Sequence, residues 1–257
     1  GNIEYHFFAG YSGGAKAIMP GVSTMQAIRK NHSRMIHPMA KAGTLEGNPV
    51  REDLEEAAGI CGVDFLLNVV LDEHKNVIHA VAGELKEAHR QGCRFLDGFY
   101  RMEINELADI VIVSQGGAPK DLNLYQATKC HMNAQFAVKH GGIMIFTLDC
   151  PDIKEPAIFT DCFSRNDMEQ FEKDIRANFT IPAFVAFKAR CIVNDVTAYL
   201  VTRPENFDFV RKTGHIPCAS LQEAWDMAQE KLAEQGKKDY NITIMGHASA
   251  TLPILDK

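Results

Sequence analysis

From Ala108 onward the chain alternates short apolar runs with helix-length stretches: ADIVIVS, LNLYQATKCHMNAQFAVKH, GIMIFTL, two helical segments between residues 166 and 194, TAYLVT, SLQEAWDMAQEKLAEQ and NITIMG. That alternation argues for a parallel sheet, because parallel neighbours need a crossover connection between them, usually a helix. The expected class is α/β, and this region an open, mostly parallel sheet with helices on both faces, Rossmann-like in arrangement. Such sheets bind ligands outside the carboxyl ends of their strands, where the sequence sets Gly116, Gly117, Asp149 and Gly246.

The texture changes between residues 103 and 109, which predicts two domains, 1–105 and 106–257, an ordinary division for 257 residues. In the first, Ser23 is placed as N-cap of a helix through STMQAIRKNHSRMI that carries His32. GNPVREDLEEAAGICG offers Asn48 as a cap and Pro49 at a first helical position. VDFLLNVVLDEHKNVIHAVAG reads as a hairpin turning over residues 72–76, and ELKEAHRQGCRFLDGFYRM as a longer helix.

Net charge is −6 and the basic residues are scattered, which argues against nucleic acid as a partner. The seven cysteines are widely spaced, with no C-x-x-C pair, as in a cytosolic protein with reduced thiols. No apolar run is long enough to span a membrane and no signal-peptide pattern opens the chain, so the expectation is a cytoplasmic protein with no membrane partner. The sequence does not begin with Met and its richest motif lies in the first residues, so it is expected to be the later part of a longer protein.

That motif, GNIEYHFFAGYSGGAKAIMPGV, supplies a candidate base, His6, a glycine turn at Ser12, Gly13 and Gly14, and a reactive amine, Lys16, with His32 following on a helix. Glycines that adopt positive φ let backbone N–H groups converge on an anion. The Walker pattern is not met, because Ala15 separates Gly14 from Lys16 and Ala17 stands where Ser or Thr would be. From the residues alone, a phosphate or cofactor site and an ordinary glycine turn both stand, as do catalytic and structural roles for His6. One histidine, His32, is too few ligands for a protein-only metal site. A second constellation, GGAPKDLNLYQATK, follows a strand and leads into a helix on which Gln126 and Lys129 share a face. They suit a carboxylate, and Tyr125 suits a flat ring; an incidental surface lysine is the alternative. The remaining histidines, His89, His131 and His215 among them, show no ligand spacing and receive no role. Neither G-x-S-x-G nor a complete G-x-G-x-x-G is present.

Taken in order, HFFAGYSGGAK, the His32 helix, GNPVRED, DFLLNVVLD, AGELKEAH and QGGAPKDLNLYQATK resemble the nickel-dependent lactate racemase family, from Gly1 to about Ala134 and more loosely beyond. The resemblance implies a nickel-pincer nucleotide, made from nicotinate, linked to Lys16, with nickel completed by His32. It implies that the glycine turn cradles the nucleotide phosphate, that Phe8 and Tyr125 pack against the pincer ring, and that Gln126 and Lys129 line the substrate site. The implied reaction is racemisation or epimerisation of a small 2-hydroxy acid by hydride shuttling, with His6 as one of two histidine bases. An imidazole's ordinary pKa of roughly 6.5 suits that exchange, worth roughly 10²–10⁴ in rate. The second base and a carboxylate-gripping arginine belong to an upstream region with no counterpart here, so the chain alone is expected to be inactive. The family's substrate-site tryptophan has no match either; Phe184 or Phe187 is the expected substitute, since Trp225 lies in a late helix. Loading is expected to need cofactor-synthesis enzymes as transient partners, and protein from an ordinary host to lack the group. The rival readings are a non-catalytic nucleotide or anion-binding module with Lys16 unmodified, and a lyase or decarboxylase using the same cofactor.

Overall fold

The computed structural model describes residues 1–72 and 74–256, in two compact units, Gly1–Met102 and the residues from Glu103 onward.

The first unit opens with a small antiparallel pair, β1 (Tyr5–His6) and β2 (Gly10–Tyr11), followed by a 3₁₀ turn over Gly14–Ala17. Helix α1 (Met25–His32) is capped by Thr24, whose Oγ1 accepts from the Ala27 N–H. The expected cap, Ser23, instead donates its hydroxyl to the Ile18 carbonyl, which removes it from the helix end. Helix α2 (Pro49–Cys61) begins at the Asn48 cap with Pro49 in its first turn, and Asn48 Oδ1 accepts from Val50 and Arg51. Strands β3 (Leu66–Leu71) and β4 (Val77–Gly83) form the hairpin, and Asp72 Oδ1 closes its turn by accepting from the His74 and Asn76 N–H groups; Glu73 lies outside the described residues. Helix α3 (Leu85–Tyr100) buries Leu85, Ala88, His89, Gly92, Cys93 and Leu96, one stripe at helical spacing, and packs on the hairpin. It ends two residues earlier than the sequence suggests, because Arg101 and Met102 are already extended in β5 (Arg101–Ile104).

In the second unit, β6 (Ala108–Ser114), α4 (Leu124–Ala134), β7 (Val138–Thr147), α5 (Ala157–Thr160), α6 (Met168–Ala177) and α7 (Ile181–Asp195) follow in order. Next come β8 (Thr197–Val201), α8 (Phe207–Lys212), β9 (Ile216–Cys218), α9 (Leu221–Glu234), β10 (Ile242–Met245) and β11 (Leu252–Leu255). The five-stranded sheet has the order β10-β6-β7-β8-β9 and every pairing is parallel. Alternation along β7 covers both its faces: Ile143 and Ile145 join the core beneath Ala224, Ala228 and Leu232 of α9, while Phe146 stacks on His131 of α4 at 3.8 Å. Both helix layers and the parallel sheet are therefore as the sequence reading has them. Strand β7 begins earlier than expected, at Val138, because Ala108 donates to the Ala137 carbonyl and pairs with Val138 before a bulge. Among the described residues no helix is long and apolar enough to cross a membrane.

His131 and His215, wholly buried, face each other with Nε2 atoms 2.9 Å apart, so a single proton serves both nitrogens. Desolvation pushes His131 down to about 4 and His215 well below the usual imidazole value, so both are neutral in the folded unit. The unfolded chain, titrating near 6.5, binds more protons below that pH, so the stability is fully present above about pH 7 and drains as pH falls toward 4. The slope is about 1.4 kcal/mol per pH unit for each histidine. Urea midpoints followed by the fluorescence of Trp225, the one tryptophan of the chain and a residue of α9, should fall between pH 7 and 5. A midpoint that holds constant over that range would contradict the assignment.

Candidate active site

In the first unit the β1–β2 turn gathers the chemistry. His6 pairs with Gly10 across the strands, and the Ala9 N–H donates to His6 Nδ1 at 3.3 Å. With Nδ1 accepting, the neutral ring carries its proton on Nε2, which lies 3.2 Å from Lys16 Nζ. Lys16 Nζ also stands 5.5 Å from the centre of the Phe8 ring. That ring meets His6 edge-on at 4.4 Å and His32 at 4.9 Å, so His6, Phe8, Lys16 and His32 form one cluster. Burial, and secondarily the Arg51 charge, lowers Lys16 from 10.5 to about 8. Among the described residues no carboxylate forms an ion pair with it, so no opposite charge offsets that lowering. His32 is 4% exposed and pushed down to about 4, first by desolvation and then by the Lys16 charge. Its ring is therefore a neutral imidazole with a lone pair to offer, the form in which histidine binds metals.

In the glycine turn the Ser12 N–H donates to the Glu4 carbonyl, the Gly14 N–H to Asn68 Oδ1 at 2.8 Å, and the Lys16 N–H to the Gly13 carbonyl. These three amides are bonded within the protein, and Ser12, Gly13 and Gly14 form the ledge that projects Lys16. The ledge rests on residues that sequence reasoning missed. Asn68 Oδ1 lies 2.6 Å from where a Cβ on Gly13 would be, and the His89 ring 2.7 Å from one on Gly14. His89 Nε2 donates to the Ser12 carbonyl at 2.8 Å, and burial holds its ring neutral, at about 4. Arg51, with no solvent exposure, gives Nε to the Ala9 carbonyl at 3.0 Å and a terminal nitrogen to the Tyr11 carbonyl. Tyr5 and Tyr11 both donate to Asp97 of α3, at 2.7 and 2.8 Å, tying both strands to that helix.

In the second unit Tyr125, Gln126 and Lys129 all lie on α4, which starts at the Asn123 cap bonded to the Gln126 N–H. Gln126 and Lys129 are exposed, while Tyr125 is half-buried edge-on to Phe159 at 5.3 Å. Buried Gln115, just past β6, donates to the Gln126 carbonyl at 3.3 Å and anchors that turn of the helix. This loop lies outside the carboxyl end of β6, the strand flanked on one side by β7 and on the other by β10, where the winding of the sheet reverses. Phe184 and Phe187 do not provide a substrate-facing aromatic: both are buried on α7, against Phe179 and Phe171 respectively. Trp225 pairs loosely with Tyr240 on the α9 side of the sheet.

A parallel α/β unit with open loops at its strand ends, and a unit that presents a depressed lysine among histidines, together define an α/β protein with a lysine-centred reactive site. Residues 1–43 match the family described as the lactate racemase N-terminal domain, and residues 104–250, more than half of the chain, the lactate racemase C-terminal domain. The chain belongs to the lactate racemase family. It is 35% identical over 245 residues to a lactate racemase of Thermoanaerobacterium thermosaccharolyticum, a match covering 92% of this chain and 57% of that protein. It is 39% identical over 154 residues to one of Lactiplantibacillus plantarum, covering 59% of this chain and 36% of that protein. The chain thus spans little more than half the length of these relatives. The solved lactate racemase apoprotein of T. thermosaccharolyticum superposes with a TM-score of 0.89 at 31% identity, over 99% of this chain and 61% of the other. A Thermotoga maritima protein shares the fold at TM-score 0.69 and 16% identity, over 99% of this chain and 65% of the other.

Two outcomes follow from this geometry. Acylation of lysines from pH 6 to 10, mapped by peptide mass, should label Lys16 with a midpoint near pH 8, against about 10.4 for ordinary lysines; a midpoint near 10 would remove the case for a depressed amine. Gly14→Ala places a side chain at φ +59 against the His89 ring and should cost about 2–4 kcal/mol. Gly62→Ala, at φ +71 with open space around it, should cost only the roughly 1 kcal/mol of the backbone conformation. Equal losses in urea denaturation would show that His89 does not occupy that space.

Proposed function

We propose that this chain carries the cofactor-bearing part of a racemase or epimerase of 2-hydroxy acids, acting on lactate or a larger analogue. The observation that supports it most is the Lys16 amine, held near 8 with no acidic partner and set 3.2 Å from His6 Nε2 in the motif that resembles the family's cofactor lysine. The matched lactate racemases support the reaction class. The residues fit a nickel-pincer nucleotide: Lys16 offers an amine for acylation, and His32 offers one neutral nitrogen. Among the described residues no group of three or more His, Cys, Asp or Glu side chains is placed to hold a metal, so His32 would need its co-ligands from a cofactor.

When bound, that group supplies an electrophilic ring carbon able to accept a hydride and give it back. In this reading His6 is the base of one face only: with its ring proton moved to Nδ1, at the expense of the Ala9 N–H bond, Nε2 takes the hydroxyl proton as the α-hydrogen leaves with its electron pair, which makes a flat keto acid, and gives it back when the hydrogen returns on that face. Phe8 forms an apolar wall that excludes water beside Lys16. In this reading Lys129 supplies a positive charge and Gln126 an amide to the substrate carboxylate, and Tyr125 a flat surface for the ring. The protein works in the cytoplasm, where cofactor-synthesis enzymes load it. Racemisation needs a proton acceptor on each face of the carbon, and only one histidine ring, His6, hydrogen-bonds to Lys16 Nζ among the described residues; His89 is covered and bonded to Ser12. We expect these 257 residues alone to be inactive in racemisation, because the resemblance assigns them one of the family's two histidine bases.

The chain should be produced together with cofactor-synthesis enzymes shown to load the T. thermosaccharolyticum relative. Intact mass and peptide mapping should show an adduct on Lys16 with stoichiometric nickel; Lys16→Ala should abolish both, and His32→Ala should lose the nickel while keeping the adduct. An unmodified Lys16 under those conditions would overturn the reading, and racemisation of lactate by the loaded chain would overturn its inactivity.

A further inference from the structure

We infer that Asn31 is a positioning residue that sets the tautomer of His32, holding the proton on Nδ1 so that Nε2 keeps its lone pair. The inference deepens the reading of His32 as a metal ligand and rests on it for its function. Asn31 has no solvent exposure and lies beside His32 at the end of α1. Its Nδ2 donates twice across to α2, to the Val50 carbonyl at 3.1 Å and to Asp53 Oδ2 at 2.8 Å. Both partners are pure acceptors, so the amide cannot be turned around without setting an oxygen against a carbonyl and a carboxylate. Asp53 is itself held by Arg34, 2.9 Å away. Oδ1 of Asn31 is thereby aimed at His32 Nδ1, at 3.0 Å. A carboxamide oxygen only accepts, so Nδ1 must donate. With Asn31 Oδ1 as its partner, the neutral imidazole has its proton on Nδ1, and its single lone pair belongs to Nε2. Partners of this kind on the far nitrogen fix ring orientation and ligand basicity in metal sites, and their loss typically costs about 10–100-fold in metal affinity. No position of Asn31 on a ligand is needed for that effect; it acts through His32.

The test is long-range ¹H–¹⁵N correlation of the ring nitrogens in ¹⁵N-histidine-labelled full chain without cofactor, at pH 7.5, with His32→Gln used to assign the signal. The expected pattern is a protonated Nδ1 and an unprotonated Nε2 for His32. Asn31→Ala should move the ring toward the Nε2–H form while exposed His37 is unchanged, and the loaded variant should lose nickel to a chelator about 10–100-fold more readily. Asp53→Asn, which keeps a neutral partner for Asn31 but no longer demands its donors, gives a milder shift and serves if Asn31→Ala does not fold. A wild-type His32 with its proton on Nε2 overturns the inference, as does an Nδ1–H signal that survives in folded Asn31→Ala. If the tautomer is as expected but His32→Ala leaves the nickel content of loaded protein unchanged, the tautomer assignment stands and the metal-ligand reading fails.

Discussion

The candidate site depends on a guanidinium that water never reaches. A buried cation is costly unless hydrogen bonds and an opposite charge replace its hydration. Arg51 finds part of that replacement in the Ala9 and Tyr11 carbonyls on either side of Gly10 and in the charge of Glu55, one turn along α2 and 3.9 Å away, while its Nη1 makes no hydrogen bond among the described residues. Gly10 has φ +77, and a Cβ there would run into the Thr44 carbonyl, so only glycine fits between the two carbonyls that hold the arginine. Glu55 is held in turn by Arg90 of α3 at 2.6 Å. The β1–β2 pair, whose turn carries Phe8 toward Lys16, is thus fastened to α2 by Arg51 and to α3 by the two tyrosines on Asp97. The same charge acts electrostatically as well, since it is one of the causes that lower Lys16 and one that keeps His89 neutral.

Much of the framework was legible because local chemistry and tertiary demand agree. Asn48 followed by Pro49 and an acidic first turn is a favoured helix start, and Asp72 closes the hairpin with its own side chain. The strand and helix alternation after Ala108 declared a parallel sheet with no need for tertiary knowledge. The local misreadings came where two neighbours competed for one role. Ser23 is the better cap by residue type, but the Ile18 carbonyl takes its hydroxyl and the role falls to Thr24. The segment after Ala134 keeps a helical texture, yet Val138 is drawn into the sheet by its pairing with Ala108.

The site was legible in its reactive parts and hidden in its supports. His6, Lys16 and His32 are residue types that announce chemistry, while their convergence on Phe8 is a product of the fold. Arg51 lies among the charges of PVREDLEE and reads as a solvated face, because nothing in one dimension says that α2 turns that residue inward. His89 did carry a signal: it falls on the apolar stripe of α3 between Leu85 and Cys93, where a polar side chain must find a buried partner. The glycine turn stayed open to two readings for a related reason. Glycines at positive φ mark either a backbone that approaches a ligand or one that approaches another part of the chain. Here the close neighbours are Asn68 and His89, so the demand comes from the chain itself.

The arrangement around Lys16 favours the neutral amine by more than burial. A charged Lys16 would have to donate to His6 Nε2, which requires the ring proton on Nδ1, where the Ala9 N–H already points. Keeping the Ala9 bond sets the proton on Nε2, and the amine then meets it with a lone pair. The backbone of the β1–β2 turn therefore works in the same direction as desolvation and the Arg51 charge. A lysine lowered from 10.5 to about 8 has, at pH 7, roughly one molecule in ten as free amine, against about one in three thousand for the unperturbed group. That gain of about three hundredfold in nucleophile comes from a lysine that makes no ion pair among the described residues, and it is achieved by the surroundings alone. On the other side of Phe8, His32 keeps its lone pair through an analogous device, a fixed acceptor set against its far nitrogen. The fold thus presents one nitrogen whose lone pair is fixed, on His32, and one amine, Lys16, that gives up its proton more easily than an ordinary lysine, which suits a site in which one is to coordinate and the other to form a covalent bond.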